Sequence, residues 1–388
     1  MTPGARVQAA IECLDRIAEG QAAEQALLRW SRGARHAGSK DRAAVRDHVF
    51  DVLRRWWSTA AIGGGESGRA RMIGLLRLDG HDTAAFFTGR GYDPAPIDEI
   101  EAASGHAPDP LAALDCPTWL ADDLRSAFGE DFAPIMTSLQ SRAPLFLRAN
   151  LARTDREAAM EALARDGVAS RAHDLSPTAI EVIDNPRMAS RTTAFRDGLV
   201  EIQDAASQAV VDAIPLDGVG RILDYCAGGG GKSLALAART DATIHAHDVA
   251  PERMRDIAPR AARSGVRIDV LGSAELRKQA PYDLVVVDAP CSGSGAWRRS
   301  PEGKIRFDRA ELERLLALQR EILERACTHV APGGLLAYAT CSLLPAENEM
   351  QISHLLNATP LAELKLSQSW TPLDGGDGFH LSVLQLAT

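Results

Sequence analysis

Long apolar runs are missing from this 388-residue sequence. Nowhere do about 18 consecutive apolar residues occur, the length a membrane helix requires. The N-terminus, MTPGARVQAAIECLDRIAEG, has no apolar signal core, because Glu12, Asp15 and Glu19 interrupt it. A cytoplasmic protein is therefore expected. Cysteine is scarce as well. Six cysteines (Cys13, Cys116, Cys226, Cys291, Cys327 and Cys341) in a chain of this length do not make a disulfide framework. No CxxC or clustered His/Cys spacing suggests zinc, so no metal is expected. Lysine accounts for only five of 43 basic residues. Excess positive charge is absent: a net charge of −9 argues against a protein that coats nucleic acid through bulk charge, although local basic patches stay open. What remains is ordinary. With 45% hydrophobic and 24% charged residues, wholesale disorder is excluded. The length suits two or three domains at roughly 100–200 residues each.

Charge is uneven along the chain. Residues 1–65 carry ten Lys/Arg against seven Asp/Glu, and residues 71–135 carry four against twelve. Gly63-Gly64-Gly65 separates the two stretches. Both read as helical: Ala9, Ile11, Leu14, Ile17 and Ala18 have helical spacing, as do Val45, Val49, Val52, Leu53 and Trp56, with Asp41 as a cap of the second helix. Trp56-Trp57 reads as helical core. An all-helical domain is expected over 1–137. A small α+β domain follows over 138–203. Its strands are predicted at 145–151 and 180–183, and Thr154-Asp155-Arg156-Glu157 reads as a capping box opening a helix that Gly167 ends. From residue 204 to 388 strands and helices alternate, with strands at 221–225, 243–247, 266–270, 283–288 and 335–340. Such alternation predicts a parallel α/β sheet with ligands at the carboxyl ends of its strands.

The first of these strands runs into Asp224-Tyr225-Cys226-Ala227-Gly228-Gly229-Gly230-Gly231-Lys232-Ser233. Glycines here let the backbone turn tightly and bring amides close to a ligand. One reading is a phosphate loop, GxxxxGK[ST], with Leu284–Asp288 as the magnesium-binding strand. That pattern wants glycine at position 226, where Cys226 stands. The other reading is an adenosine-type cofactor loop, which asks for an acid at the end of the second strand. Asp248 is there. The loop alone does not separate the two.

Two cysteines do. Cys291, in Asp288-Ala289-Pro290-Cys291-Ser292-Gly293-Ser294-Gly295, ends the fourth strand, and Cys341, in Thr340-Cys341-Ser342, ends the fifth. Neighbouring parallel strands deliver their ends to one crevice, so both thiols can face one substrate. Cys13, Cys116 and Cys327 sit in helical patterns and read as packing. Beside Cys291 lies a basic stretch, Trp297-Arg298-Arg299 followed by Lys304, Arg306 and Arg309. It holds five basic residues against Glu302 and Asp308 and reads as an RNA-contacting segment.

These residues resemble the RNA cytosine-5 methyltransferases of the Nop/Sun group. The matching blocks are DYCAGGGGK (224–232), HD (247–248), DAPCSGSGAWRRSPEGK (288–304) and TCSLLPAENE (340–349). FRDGLVEIQDAASQ (195–208) resembles the opening of the family's catalytic domain, and LRANLARTDREAAMEALARDG (147–167) its preceding small domain. GSKDRAAVRDHVFDVLRR (38–55) is similar to the helical domain related to the antitermination factor NusB, an RNA- or partner-binding module in the bacterial rRNA branch. The resemblance implies a Rossmann-type domain that takes S-adenosylmethionine and methylates carbon 5 of a cytosine in 16S-type ribosomal RNA, acting as a monomer. It implies Cys341 as nucleophile, Cys291 as the cysteine that resolves the adduct, and Asp288 and Lys232 as further catalytic groups. Cofactor contacts fall on Cys226, Ala227, Gly228, Gly229, Gly230, Gly231, Lys232, Asp248, Ser273 and Asp288. RNA contacts fall on Arg298, Arg299, Lys304 and Arg306. Two departures stand out: CAGGGGK replaces the family's CAAPGGK, and Ser273 replaces an Asp. The competing readings are a P-loop NTPase and an inactive ribosome-assembly RNA-binding protein.

Overall fold

Proline and glycine punctuate the N-terminal helices where the physical chemistry of helix ends asks for them. The computed structural model describes residues 1–359 and 362–387. It consists of two compact units: Met1–Arg142 together with Trp297–Phe307, and Ala143–Ala296 together with Asp308–Thr388. In the first unit, α1 (Pro3–Ala18) starts with Pro at N1 and the Thr2 hydroxyl accepting the Ala5 N–H. It is followed by α2 (Ala23–Gly33), α3 (Ser39–Arg54), α4 (Trp56–Gly63) and α5 (Gly68–Leu78). Asp41 is not the N-cap of α3 but its third residue, where its carboxylate accepts the N–H of the capping Gly38 at 3.1 Å. Val7, Leu14, Val45, Val49, Leu53, Met72 and Ile73 fill the core. Helices α4 and α5 meet through glycine. A Cβ on Gly74 would lie 1.9 Å from the Thr59 carbonyl oxygen, so no other residue fits that crossing. The helical unit continues past the expected boundary at 137, because the helix Phe132–Leu139 runs across it.

The strap Trp297–Phe307 is an integral part of this unit. Trp297 and Phe307 are buried, and Phe307 packs on Trp119 at 5.4 Å between ring centroids. The Lys304 ammonium is 1% exposed, donates to the Arg54 carbonyl at 2.8 Å and lies 5.6 Å over the Trp57 ring. Arg54 in turn donates to the Arg298 carbonyl at 2.7 Å. Burial pushes the Lys304 pKa down to about 8, against the pull of the Asp115 charge. In an unfolded chain it would titrate near 10.4. The folded protein therefore binds this proton less tightly than the unfolded chain. The associated cost is fully present below about 8 and fades as pH rises towards the unfolded value. Lys304→Met should remove that component. The expected result is a flatter dependence of thermal stability on pH between 8 and 10 than in the unmodified protein, read by calorimetry at fixed ionic strength.

The second unit contains two sheets. The small one has β1 (Leu145–Ala149), β2 (Ser170–Ala172), β3 (Ala179–Val182) and β4 (Val200–Ile202), all antiparallel in the order β2-β3-β1-β4. The helix Arg156–Arg165 is capped by Asp155, whose carboxylate accepts the Ala158 N–H at 2.8 Å, rather than by Thr154. The large sheet comprises β5 (Arg221–Asp224), β6 (Thr243–Ala246), β7 (Asp269–Val270), β8 (Tyr282–Asp288), β9 (Val330–Thr340), β10 (Ala362–Trp370) and β11 (Phe379–Leu386), in the order β10-β11-β9-β8-β5-β6-β7. It is mixed, not purely parallel as expected. β5 to β9 pair in parallel, and β10 and β11 form an antiparallel hairpin on β9. Strand order reverses between β5 and β8, and the crevice at that switch is where an open α/β sheet binds its ligands. Apolar residues on both faces are fully buried, Ile222, Leu284, Val286 and Leu381 on one and Leu223, Val285, Val287 and Leu336 on the other. Among the described residues no helix is long and apolar enough to cross a membrane.

Candidate active site

Five strand ends build the site, those of β5 to β9. After β5 the chain turns through the glycine loop into the helix Gly231–Ala237. Gly228 and Gly230 take φ of +50° and +79°, a backbone region that residues with a Cβ rarely enter. A Cβ at Gly230 would also stand 2.8 Å from Ile257. The loop is held from outside. Arg148 on β1 donates to the Gly231 carbonyl at 3.0 Å, and Arg260 donates to the Gly229 carbonyl. Arg260 is itself paired at 3.0 Å with Glu201 of β4, a carboxylate only 2% exposed that also takes Arg263. The small sheet thus braces the glycine loop.

At the end of β6, Asp248 is 4% exposed. Its carboxylate accepts the Gly228 N–H at 3.0 Å and the Ala250 N–H at 2.9 Å, and pairs with Arg253 at 3.2 Å. Beyond β7, the Ser273 hydroxyl meets His247 Nε2 at 2.9 Å, and His247 stacks on Tyr225 at 5.1 Å. Ser273, in place of an acid, is tied to a neighbouring imidazole.

Asp224 is a functional candidate that sequence reading left out. It is 1% exposed. One carboxyl oxygen accepts the Ser233 hydroxyl at 2.5 Å, and the other, Oδ1, is buried without a hydrogen-bond partner among the described residues. Burial pushes its pKa up to about 7. Its position at the end of the first strand, before a glycine turn, was the available signal. An orphaned buried acceptor next to four glycines and the acid Asp248 fits a ligand that brings a hydrogen-bond donor on one side and a ribose on the other. S-adenosylmethionine carries both.

Lys232 is 5% exposed and pairs with Asp288 at the end of β8 at 2.8 Å, its ammonium lying 5.0 Å over the Phe379 ring. Cys291 and Cys341, after β8 and β9, place their sulfurs 3.5 Å apart, both half-buried. The Cys291 pKa is pushed up, first by its hydrogen bond to Cys341, then by burial, then by the charges of Cys341 and Glu347. Cys291 therefore holds its proton more tightly than an ordinary thiol, and either sulfur can donate across the 3.5 Å contact. The other cysteines are set apart from this pair. Burial pushes Cys13 up to about 12, Cys116 and Cys327 up to about 11, and the Cys226 thiol up as well. Cys226 and Ala227 bear on the site through their place in the loop backbone.

Within the basic stretch, Lys304 and Arg298 are buried in the helical unit. Arg306 pairs with Glu302 at 2.7 Å and donates to the carbonyls of Gly20 and Gln21 at 3.1 and 2.8 Å, with its side chain 44% exposed. Arg299 is half-buried.

A switch-point crevice, a braced glycine turn and an acid on the next strand are those of a Rossmann-type methyltransferase fold. Residues 214–384 match the family described as 16S rRNA methyltransferase RsmB/F, and residues 116–188 match the ferredoxin-like domain of RsmF/B-like methyltransferases. Residues 214–384 thus form an RsmB/F-type methyltransferase domain. The chain is 33% identical over 282 residues to ribosomal RNA small subunit methyltransferase B of Cronobacter sakazakii, a match covering 69% of this chain and 66% of that protein. The protein of the same name from Klebsiella pneumoniae is 33% identical over 283 residues, 69% and 65% of the two chains. The matches thus span just under two thirds of these relatives. Among solved structures, PH0851 shares the fold with a TM-score of 0.77 at 22% identity over 99% of each chain. A methyltransferase homolog from Pyrococcus horikoshii aligns with a TM-score of 0.62 at 25% identity, over 71% of this chain and 97% of that one.

Proposed function

We propose that the chain methylates carbon 5 of a cytosine in ribosomal RNA of the 16S type, with S-adenosylmethionine as methyl donor and a cysteine adduct as intermediate. The observation that carries this reading is the pair Cys291–Cys341, sulfurs 3.5 Å apart at the ends of adjacent strands. S-adenosylmethionine supplies an electrophilic methyl group on a sulfonium. Gly228 to Lys232, Asp224 and Asp248 would hold it. Carbon 5 of cytosine is a poor nucleophile, and addition of a thiolate to carbon 6 makes it electron-rich. In this reading Cys341, the cysteine of the Thr340-Cys341-Ser342 match, attacks carbon 6 with Cys291 Sγ 3.5 Å away. Asp288, oriented by Lys232, faces the base edge. After methyl transfer Cys291, its own proton released to solvent, takes the proton on carbon 5; the C5–H electrons reform the carbon 5–carbon 6 double bond and Cys341 leaves as thiolate. One chain supplies both thiols, the loop and the carboxylates, which fits action as a monomer. The helical unit, NusB-like in sequence, would contribute RNA or partner binding through surfaces other than the strap.

The P-loop alternative meets an obstacle in the geometry. Ser233 is buried with its hydroxyl given to Asp224, and Lys232 is paired with Asp288, so neither faces a phosphate site. Transfer of tritium from methyl-labelled S-adenosylmethionine to total RNA tests the function, with 5-methylcytidine as the labelled nucleoside. Label in another nucleoside, or none at all, would refute it. Asp248→Ala should weaken S-adenosylmethionine binding by about 1–3 kcal/mol, the loss of one buried acceptor. Calorimetry showing unchanged affinity would displace the cofactor from this strand end.

A further inference from the structure

Glu347 lies in the short turn Pro345–Glu347 after β9 and is fully buried. Its carboxylate takes part in no ion pair among the described residues, yet all its acceptor capacity is in use. Oε1 accepts the Ser292 N–H at 2.9 Å and the Gln319 amide at 3.0 Å. Oε2 accepts the hydroxyls of Ser292 and Ser342, each at 2.5 Å. Ser292 follows Cys291 and Ser342 follows Cys341, so one carboxylate grips the residue next to each thiol. Its own place is fixed by Tyr338 of β9, whose hydroxyl donates to the Glu347 carbonyl at 2.7 Å.

The charge matters as well as the shape. Because both serine protons point at Glu347, the serine oxygens are left as acceptors. Ser342 Oγ takes the Leu344 N–H at 3.0 Å, Ser292 Oγ takes the Ser294 N–H at 3.3 Å, and Ser294 Oγ takes the Leu343 N–H at 2.8 Å. A carboxylate accepts at four lone-pair positions and donates at none, whereas an amide must present an NH2 on one side. A glutamine would turn a donor against either the two hydroxyls or the two N–H groups, and the serine oxygens are already occupied.

We infer that Glu347 is a positioning residue for methyl transfer, the common anchor that registers the Cys291 loop against the Cys341 loop and so sets the separation of the two thiols. This rests on the two-cysteine reading of the site. Misplacement of reacting groups by about 1 Å costs on the order of a hundredfold in rate. Glu347→Gln should therefore lower kcat for methyl transfer by about tenfold or more while the KM for RNA and the affinity for S-adenosylmethionine stay near those of the unmodified protein.

The direct test needs no RNA. Dibromobimane joins two thiols only when they are close together, and the bridged Cys291–Cys341 peptide pair is read by fluorescence and mass spectrometry. The unmodified full-length chain should cross-link readily. Glu347→Gln should give a severalfold lower yield with total thiol alkylation unchanged, and Ser292→Ala, which removes one arm and keeps the charge, an intermediate yield. Ser292→Ala also serves where Glu347→Gln folds poorly. Equal cross-linking in all three proteins, or a higher KM at unchanged kcat, overturns the inference. If the unmodified protein cross-links but methylates no RNA, the functional reading fails, and the cross-linking series still decides the role of Glu347.

Discussion

Cys291→Ala should leave the protein covalently joined to methylated RNA, seen on a denaturing gel as a slow band that nuclease removes. Cys341→Ala should show no such band and lose transfer by about four to six orders of magnitude, the scale of removing a covalent nucleophile. The asymmetry rests on the match of Thr340-Cys341-Ser342 to the family's nucleophile motif, and the sulfurs, 3.5 Å apart, can both reach one base. Without Cys291 the adduct still forms, but the carbon 5 proton has no acceptor and the Cys341–carbon 6 bond has no way to break. The double mutant should behave as Cys341→Ala. A band from Cys341→Ala alone would exchange the roles, and full activity in both single mutants would refute cysteine catalysis altogether.

A chain beginning at Ala143 should fail to yield a stable, active protein. In the full chain Trp297, Lys304 and Phe307 are buried in the helical unit that such a truncation deletes. Each large apolar side chain returned to water costs about 1.5–3 kcal/mol, and two of them approach the total stability of roughly 5–15 kcal/mol typical of a domain. The expected result is aggregation, or a soluble fragment cleaved rapidly by protease within 297–307. Adding residues 1–142 as a separate polypeptide should protect that segment. A truncated chain that is monodisperse and resists cleavage there would show that the strap stands without its bed.

The catalytic motifs were legible because their chemistry is local. A glycine turn before a helix, an acid one strand later and cysteines at two strand ends each announce themselves within about ten residues. The antiparallel hairpin β10–β11 was not legible. Its strands carry few β-branched residues, and β10 is largely exposed, so no apolar alternation marks it. Asp224 and Glu347 were passed over because their roles depend on what the fold brings beside them, an empty acceptor position in one case and two serines from different loops in the other. The basic stretch shows the same dependence on the fold. Lys304 donates to the Arg54 carbonyl, and Arg306 donates to the carbonyls of Gly20 and Gln21 and pairs with Glu302, partners that composition does not reveal.

The path of the chain through the strap also orders its biogenesis. The helical unit is interrupted by Ala143–Ala296 and is complete only when Phe307 has been made. At roughly 5–20 residues per second, synthesis of that intervening stretch lasts about 8 to 30 seconds. During this time the surfaces around Arg54, Trp57 and Trp119 wait on the ribosome without their final covering. A segment that holds an unfilled apolar seat for so long should bind chaperones, and slowing translation across 143–296 should lengthen their residence on the nascent chain.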